Sequence, residues 1–429
     1  MRAARNIIEN QQPLLFVENR VNRHRSRASL LDELASFRQF RTSTEVTSLG
    51  EGDDAVPVFV NEFWTSKQRA ASSLHEISYR ACFKPQLPRF FIDRLTAEND
   101  TVYDPFLGRG TTMIEAALLG RRVVGCDINP LSSILTAARL RPPTVRDVRD
   151  RLANLDWDYE DELNEDLLTF YHPDTLREIC ALRSHLLSHN ADHTSEVDDW
   201  IRMVATNRLS GHSAGFFSVY TLPPNQALTP KRQQRINEIR KQVPPRRSVP
   251  NLIIRKTESL LQTVSDFDRR RLNEAASDAI LLTRSSDRTP EIKDNSIDLI
   301  VTSPPFLDVV DYATDNWLRC WFNGINDKEI TIWTFRKPPE WAEAIERVFG
   351  ELRRILKPGA YIAFEVGEVR RGKIRMEELV IPAAKAAKLT PVLVLINSQE
   401  FTKTSNCWGV TNQTAGTNTN RVVLLRKPE

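Results

Sequence analysis

The sequence predicts an α/β fold, a Rossmann-like sheet with helices on both faces, interrupted by a largely helical insertion. Three observations point there. An apolar strand, Thr101-Val102-Tyr103-Asp104, runs into a turn with Gly108 and Gly110, then a helix, then a second strand, Arg122-Val123-Val124-Gly125-Cys126-Asp127, that ends in an acid. Another apolar strand, Ile297-Asp298-Leu299-Ile300-Val301, runs into Thr302-Ser303-Pro304-Pro305-Phe306. From there onward, helical and strand patterns alternate, as in a mostly parallel sheet covered on both faces.

The elements follow in chain order. Residues 1–60 read as an Arg-rich helical segment, with Ser29-Leu30-Leu31-Asp32-Glu33-Leu34 as one helix start. Residues 61–140 form the first half of the sheet domain, with a helix at about 88–97 leading into the first strand. Gly108 and Gly110 lack a Cβ, so the backbone there can approach a ligand closely. Thr111 or Thr112 can cap the following helix, and Gly120 stops it. Asn129-Pro130 starts a helix that ends near Leu140. Residues 141–275 are an insertion: helices within 161–189, a Gly/aromatic segment at 210–220, and a basic helix at about 230–242. Residues 276–429 return to the sheet. An amphipathic helix over 339–356 places Trp341, Ile345, Val348, Phe349, Leu352 and Leu356 at helical spacing, and Lys357-Pro358-Gly359 stops it. A strand at 361–366, a helix at 377–388 and a late antiparallel pair, 392–396 with 422–425, complete the pattern.

Composition narrows the class. Apolar residues make up 41% of the 429, ordinary for a soluble protein. Five cysteines are scattered without a Cys-x-x-Cys pair, which argues for a reducing compartment and against a disulfide framework or structural zinc. The seven histidines form no ligand-spaced cluster, so no metal site is expected. No apolar run approaches the ~18 residues of a membrane span, and the N-terminus lacks the apolar core of a signal peptide. A cytoplasmic protein, bacterial, archaeal or phage-encoded, is the expectation. The net charge of +3 hides an uneven distribution. Residues 144–200 hold 15 acidic and 5 basic side chains, residues 229–275 hold 12 basic and 5 acidic, and residues 1–44 hold 8 Arg and 4 acids.

Two motifs carry chemistry. In the second, Ser303 brings a hydroxyl that can donate or accept. Pro304 brings a carbonyl on a chain whose two prolines fix φ near −65°, and Phe306 brings a flat face. A planar ring bearing an exocyclic amino group suits such a turn: acceptors hold the NH₂ and the ring stacks. The first motif is a strand–Gly loop–helix–strand–acid unit of nucleotide-binding type, with Asp127 suited to a ribose diol. Met113 stands where a dinucleotide fingerprint has its third glycine, and no Gly-Lys-Ser/Thr follows.

Together, Asp-Pro-Phe-x-Gly-x-Gly-Thr-Thr (104–112) and Ser-Pro-Pro-Phe (303–306) make the chain resemble the DNA amino-methyltransferases, which transfer a methyl group from S-adenosylmethionine to exocyclic base nitrogens. Residues 79–88 resemble that family's third cofactor-contacting segment. The resemblance covers roughly 65–140 and 276–429. It implies a Rossmann-like methyltransferase sheet, S-adenosylmethionine as cofactor, DNA as partner, a cognate restriction endonuclease in a restriction-modification system, and base flipping. It implies that 141–275 is the target-recognition region. The serine favours N4 of cytosine; adenine-N6, an RNA enzyme and a non-catalytic DNA-binding subunit are the alternatives. Cofactor contacts are expected from Asp104, Phe106, Gly108, Gly110 and Thr111, from Asp127 at the ribose, from Asp278 at the adenine, and from Phe83, Lys84 and Pro85 closing over the methionine end. Ser303, Pro304, Pro305 and Phe306 would hold the base, with Asp311 in a family-like context. Phe306 replaces the usual Tyr. No base adjoins the motif in sequence, so solvent is expected to take the final proton. Lys231, Arg232, Arg235 and Arg240 are expected to contact phosphate. Phe216 and Phe217 either stack on the extruded base or form a local hydrophobic core.

Overall fold

The computed structural model describes residues 27–40, 42–65, 71–79, 82–188, 195–221, 228–305, 307, 312–369, 374–398 and 419–429. The chain order is α1 (Arg27–Ala35), β1 (Glu45–Leu49), β2 (Val56–Asn61), α2 (Gln86–Leu95), β3 (Thr101–Asp104), α3 (Thr111–Leu118), β4 (Arg122–Asp127) and α4 (Leu131–Leu140). The insertion supplies α5 (Val145–Ala153), α6 (Glu165–Leu168), α7 (Pro173–Ser188), α8 (Glu196–Arg208), α9 (Pro230–Arg240), α10 (Val249–Leu261) and α11 (Asp266–Ser277). The rest is β5 (Ile280–Thr283), β6 (Ile297–Thr302), α12 (Tyr312–Phe322), α13 (Pro338–Ile355), β7 (Leu356–Val366), β8 (Glu368–Val369), β9 (Ile374–Arg375), α14 (Glu377–Ala386), β10 (Thr390–Ser398) and β11 (Thr419–Arg426).

Among the described residues the main sheet has nine strands in the order β1-β2-β10-β11-β7-β6-β3-β4-β5. Strands β7, β6, β3, β4 and β5 are mutually parallel, and β11 lies antiparallel between β10 and β7. After β3 the chain winds outward through β4 to β5; after β6 it winds the other way to β7. The switch point therefore lies between β3 and β6, where the crossovers leave a crevice at the strands' carboxyl ends.

Strand alternation divides the interior into two cores. Val102, Leu299 and Val301 face one core with α2, α3, α4, α8 and α10. Tyr103, Ile297 and Ile300 face the other with α13 and α14. All six apolar residues expected on the 339–356 helix are fully buried, at 0% exposure. The late antiparallel pair is β10 with β11.

Three expectations need correcting. Residues 1–60 are not wholly helical: β1 and β2 lie there, and β2 pairs in parallel with β10, Val58 opposite Val394. Val56, Val58 and Phe59 bury into the sheet's two faces, a strand pattern that the Arg-rich composition obscures. Lys357-Pro358-Gly359 sits inside β7 instead of ending the helix, with Gly359 at φ 76° and its N–H on the Lys427 carbonyl. Neither Thr111 nor Thr112 caps α3: the cap is Gly110, with φ 72° and ψ 33°. A Cβ at Gly110 would collide with the Thr136 side chain.

Trp341 does two things, filling the α13 core and donating its indole N–H to the Pro305 carbonyl at 2.8 Å. Trp341→Ala is expected to lower stability by roughly 3–5 kcal/mol, and Trp341→Phe by about 1 kcal/mol through the lost hydrogen bond. Urea denaturation of the two variants checks the order.

Candidate functional site

A deep, largely apolar cleft opens at the switch point. It is walled by Tyr79 and Phe83 from the segment before α2, by Asp104, Phe106, Gly108, Arg109 and Thr111 of the β3–α3 loop, by Asp127, Ile128 and Asn129 after β4, by Arg284, Ser285 and Ser286 after β5, by Ser303 and Pro305 after β6, and by Thr331, Ile332 and Trp333 between α12 and α13. It holds roughly 1150 Å³ of empty space, part of it open to solvent. The two motifs, nearly two hundred residues apart in sequence, thus share one cavity.

The cofactor-type loop is shaped by its own backbone. Gly108 takes φ 51° and donates its N–H to Asp127 Oδ2 at 2.7 Å. Asn129 N–H donates to Asp127 Oδ1 at 2.9 Å. Burial pushes the Asp127 carboxyl up, and these two N–H groups pull it back down. The result is a half-buried acceptor, fixed at the end of β4, that faces the cavity. Arg109 lies in the loop but reaches away from solvent, donating to the carbonyls of His75 at 3.1 Å and Ile77 at 3.0 Å. Arg139 beneath it donates to the Leu74 and Arg109 carbonyls. These two buried guanidiniums hold residues 74–77 and Phe83 against the loop. Tyr79 therefore covers Gly108, its ring 3.7 Å from where a Cβ would stand.

The catalytic-type turn is tied to this loop. Thr302 donates to Asp104 Oδ1 at 2.6 Å, and Thr112 donates to the Val301 carbonyl at 3.1 Å. Burial pushes Asp104 up to about 7, opposed by hydrogen bonds from Thr302 and the Phe106 N–H. One residue on, Ser303 donates its hydroxyl to Glu365 Oε2 at 2.5 Å. Glu365 stands near the end of β7, next to β6, and Asn420 of β11 donates to its other oxygen at 3.1 Å. Burial pushes Glu365 up to about 7, with Ser303 and Asn420 pulling down. The sequence reading that no base adjoins the motif is therefore corrected. The partner comes from the neighbouring strand, sixty-two residues away.

The expected residues fare differently. Asp104, Phe106, Gly108, Thr111, Asp127, Phe83, Ser303 and Pro305 all line the cleft; Pro304 is buried beside it, and Gly110 shapes the loop as the α3 cap. Phe306 and Asp311 lie outside the described residues. Asp278 is misplaced: it caps α11, is exposed, and precedes β5, so it sits at the strand end away from the cleft. Its place is taken by Arg284, Ser285 and Ser286. The short run Ile280-Leu281-Leu282-Thr283 marks the strand, and it puts the ligand end after 283 instead of before it. Lys84 and Pro85 are also off the cleft wall; Pro85 is the N-cap of α2. Trp333 was missed because its loop has no motif. Its ring meets Phe106 edge-on, centroids 5.5 Å apart. Of the open pair of readings for Phe216 and Phe217, the core reading is the one seen. They are 5% and 0% exposed, so the expectation of direct DNA contact is corrected. Lys231, Arg232, Arg235 and Arg240 are exposed on α9, and Arg240 stacks on Tyr220 at 3.8 Å.

The cleft suits a nucleoside-bearing ligand. Asp127 offers the diol acceptor, Phe106, Leu107 and Ile128 an apolar slot, and Ser285 and Ser286 hydroxyls for a ring edge. No cluster of His, Cys, Asp or Glu among the described residues could hold a metal. No helix there is long and apolar enough to cross a membrane.

Sheet, loop and turn place the protein in the α/β class that binds a nucleoside ligand at a switch point. Residues 24–133 match the family model described as DNA methylase, of N6/N4 type. The chain is 24% identical over 295 residues to the type II methyltransferase M.BsoBI of Geobacillus stearothermophilus, covering 60% of this chain and 54% of that one. It is 40% identical over 67 residues to the type II methyltransferase M.MvaI of Kocuria varians, 15% of each chain. It is 33% identical over 100 residues to a tRNA (guanine(10)-N2)-dimethyltransferase of Methanocaldococcus jannaschii, 23% of this chain and 28% of that one. The chain thus matches about half the length of M.BsoBI and less of the other two. The family match is confined to residues 24–133, so over that stretch the chain is similar to DNA amino-methyltransferases.

Two acids with carboxyls raised to about 7 have a consequence for stability. Each binds its proton more tightly folded than unfolded, where a carboxyl titrates near 4. The ionised forms are thus disfavoured in the fold, and their stabilising protonation is lost as pH rises from about 4 to about 7. Relative to the Asp104→Asn/Glu365→Gln double variant, the wild type should lose stability across that window and hold level above it. Urea midpoints measured at pH 4.5, 6 and 8 test this; a constant difference would contradict it.

Proposed function

We propose that the protein is an S-adenosylmethionine-dependent DNA methyltransferase that methylates an exocyclic amino nitrogen, N4 of cytosine by preference, on a base flipped from the duplex. The observation that carries this reading is the shared cavity: Asp127 and Ser303 line the same space, with Glu365 hydrogen-bonded to Ser303 from behind. Bound S-adenosylmethionine supplies an electrophilic methyl on a sulfonium sulfur. Asp127 holds the ribose end, while Tyr79 and Phe83 close over the loop.

An exocyclic amine is a poor nucleophile because its lone pair is delocalised into the ring. The site's work is therefore positioning and polarisation, with no covalent enzyme intermediate. Ser303 gives its own proton to Glu365, so its oxygen lone pairs are left for the substrate NH₂. The Pro304 carbonyl takes the second amino hydrogen. These bonds turn the nitrogen lone pair toward the methyl. The methylated nitrogen would have to release a proton, and the chain supplies the acceptor. Ser303 relays it to ionised Glu365, whose carboxyl near 7 suits it to accept a proton at neutral pH. Flipping the base costs a few kcal/mol of unstacking. Serine in place of Asn or Asp supports cytosine, as a tendency of the family.

The stretch similar to a tRNA dimethyltransferase favours a second reading, an amino-methyltransferase acting on RNA. The deciding experiment supplies labelled S-adenosylmethionine with unmethylated plasmid DNA and, separately, with RNA, and resolves the digested nucleosides by mass spectrometry. N4-methylcytosine in DNA is expected. N6-methyladenine would change the base alone, and label confined to RNA would overturn the DNA reading.

The assignments separate by variant. Asp127→Ala should weaken cofactor binding at least ten-fold in calorimetry, the loss of a charged hydrogen bond worth about 1.5–3 kcal/mol. Ser303→Ala should bind cofactor normally and turn over at least a hundred-fold more slowly, the order of a lost polarising group.

A further inference from the structure

Two aromatic walls line the cleft, one from each core. Tyr79 and Phe83 pack against the core that holds α2, α3 and α4, and Tyr79 covers Gly108. Phe106 and Trp333 pack against the other core, that of α13 and α14. All four side chains line the same cavity.

The second wall is built from rings. Trp333 lies in residues 330–337, an irregular stretch before α13. Close to it, the Ile332 N–H donates to the Ile330 carbonyl at 3.1 Å. The Trp333 ring meets Phe335 and Phe106 at centroid distances of 5.5 Å each. Phe335 packs against the α13 core. Three rings in series thus run from that core to the β3–α3 loop.

The indole is half-buried. Neither neighbouring ring lies parallel to it, the interplanar angles being 65° with Phe106 and 60° with Phe335. Trp341 shows what a packing tryptophan looks like in this chain: it is 0% exposed, with its indole N–H on the Pro305 carbonyl. Trp333 instead sets a large rigid ring at a cavity wall, and such a ring is a stacking platform for a flat ligand.

The reading above brings two flat rings to this cleft, the cofactor's purine and the target base. Position selects the purine. Phe106 follows Pro105, whose carbonyl accepts the Ser286 hydroxyl. The next residue, Leu107, donates its N–H to the Cys126 carbonyl at 3.0 Å. Phe106 is therefore tied to the ends of β4 and β5. Asp127 ends β4, and Ser285 and Ser286 follow β5, whereas Ser303 stands on the other side of β3, after β6. A ribose on Asp127 leads its purine toward the Phe106 wall and Ser285. Tyr79 is already engaged over Gly108, which leaves Trp333 for the purine.

We propose that Trp333 is a binding residue for the cofactor's purine, its indole completing the slot of Phe106, Leu107 and Ile128. This rests on the S-adenosylmethionine reading above.

The test is calorimetry of the full chain with S-adenosylhomocysteine, joined by tryptophan fluorescence during the titration and by anisotropy with duplex DNA. Trp333→Ala should weaken S-adenosylhomocysteine about ten-fold, the order of one lost base–aromatic stack, and leave duplex affinity unchanged. Trp333→Phe should keep cofactor affinity within about three-fold, since a ring remains to stack. It should also abolish most of the quenching that the purine produces in the wild type, a readout that stands even where the alanine variant disturbs its loop. Unchanged affinity in Trp333→Ala would overturn the assignment. So would quenching that is absent from the wild type or equal in Trp333→Phe. A loss confined to DNA would overturn it too, by giving Trp333 to the target base. A wild type that does not bind S-adenosylhomocysteine would instead remove the parent reading.

Discussion

A buried side-chain hydrogen bond, with the Thr112–Val301 bond beside it, joins the two halves of the site. Thr302 at the end of β6 donates to Asp104 at the end of β3, 2.6 Å apart. These strands are neighbours because the sheet reverses its winding between them. Asp104 begins the glycine loop, and Thr302 begins the Ser-Pro-Pro turn. Neither motif can shift without straining that bond. Fixing both ligands to one rigid seam is what a reaction governed by alignment requires, since small displacements of reacting groups cost large factors in rate. The bond has a cost of its own. A carboxyl buried this deeply resists ionisation, and only its hydrogen bonds keep its charge within reach.

The seam needs a lid and a backstop. Arg109 and Arg139 provide the lid by pinning residues 74–77 and Phe83 beside the loop through backbone carbonyls. Burying two guanidiniums is expensive, and their carbonyl partners make it tolerable. The backstop is Trp341, which holds the Pro305 carbonyl from the α13 core. With that carbonyl taken, the turn presents Ser303 to the cleft in one orientation. Glu365 orients the serine hydroxyl from the next strand. The helical insertion meets this assembly at the outer side of the same segment, where Asn207 accepts the Ser78 N–H.

Much of this was legible in the chain. The strand–glycine–helix–strand–acid unit is local, so Asp127 and Gly108 could be read from spacing alone. The α13 stripe could be read because helical periodicity over eighteen residues is hard to mistake. What stayed hidden depends on long-range pairing. Glu365 sits in an apolar strand and looks like an exception there until β7 pairs with β6. Trp333 belongs to a loop without periodicity. Asp278 was misread because a four-residue strand gives too little pattern to say which end faces the ligand. β1 and β2 were missed because Arg-rich composition around them suggested helix, and β10, the partner of β2, lies more than three hundred residues later. Phe216 and Phe217 were ambiguous because exposure is not a property of residue type.

The Ser303–Glu365 pair carries the chemical claim, and the pH dependence of the chemical step tests it most directly. Single-turnover methylation would be followed from pH 5.5 to 9 for the wild type and for Glu365→Gln, at saturating cofactor and DNA. The wild-type rate should rise with pH and level off above about 7, as Glu365 ionises and becomes able to take the Ser303 proton. Glu365→Gln should be slow and lack that limb. A rise through the same pH range that survives in Glu365→Gln would contradict the account and assign the titration to another group, Asp104 foremost.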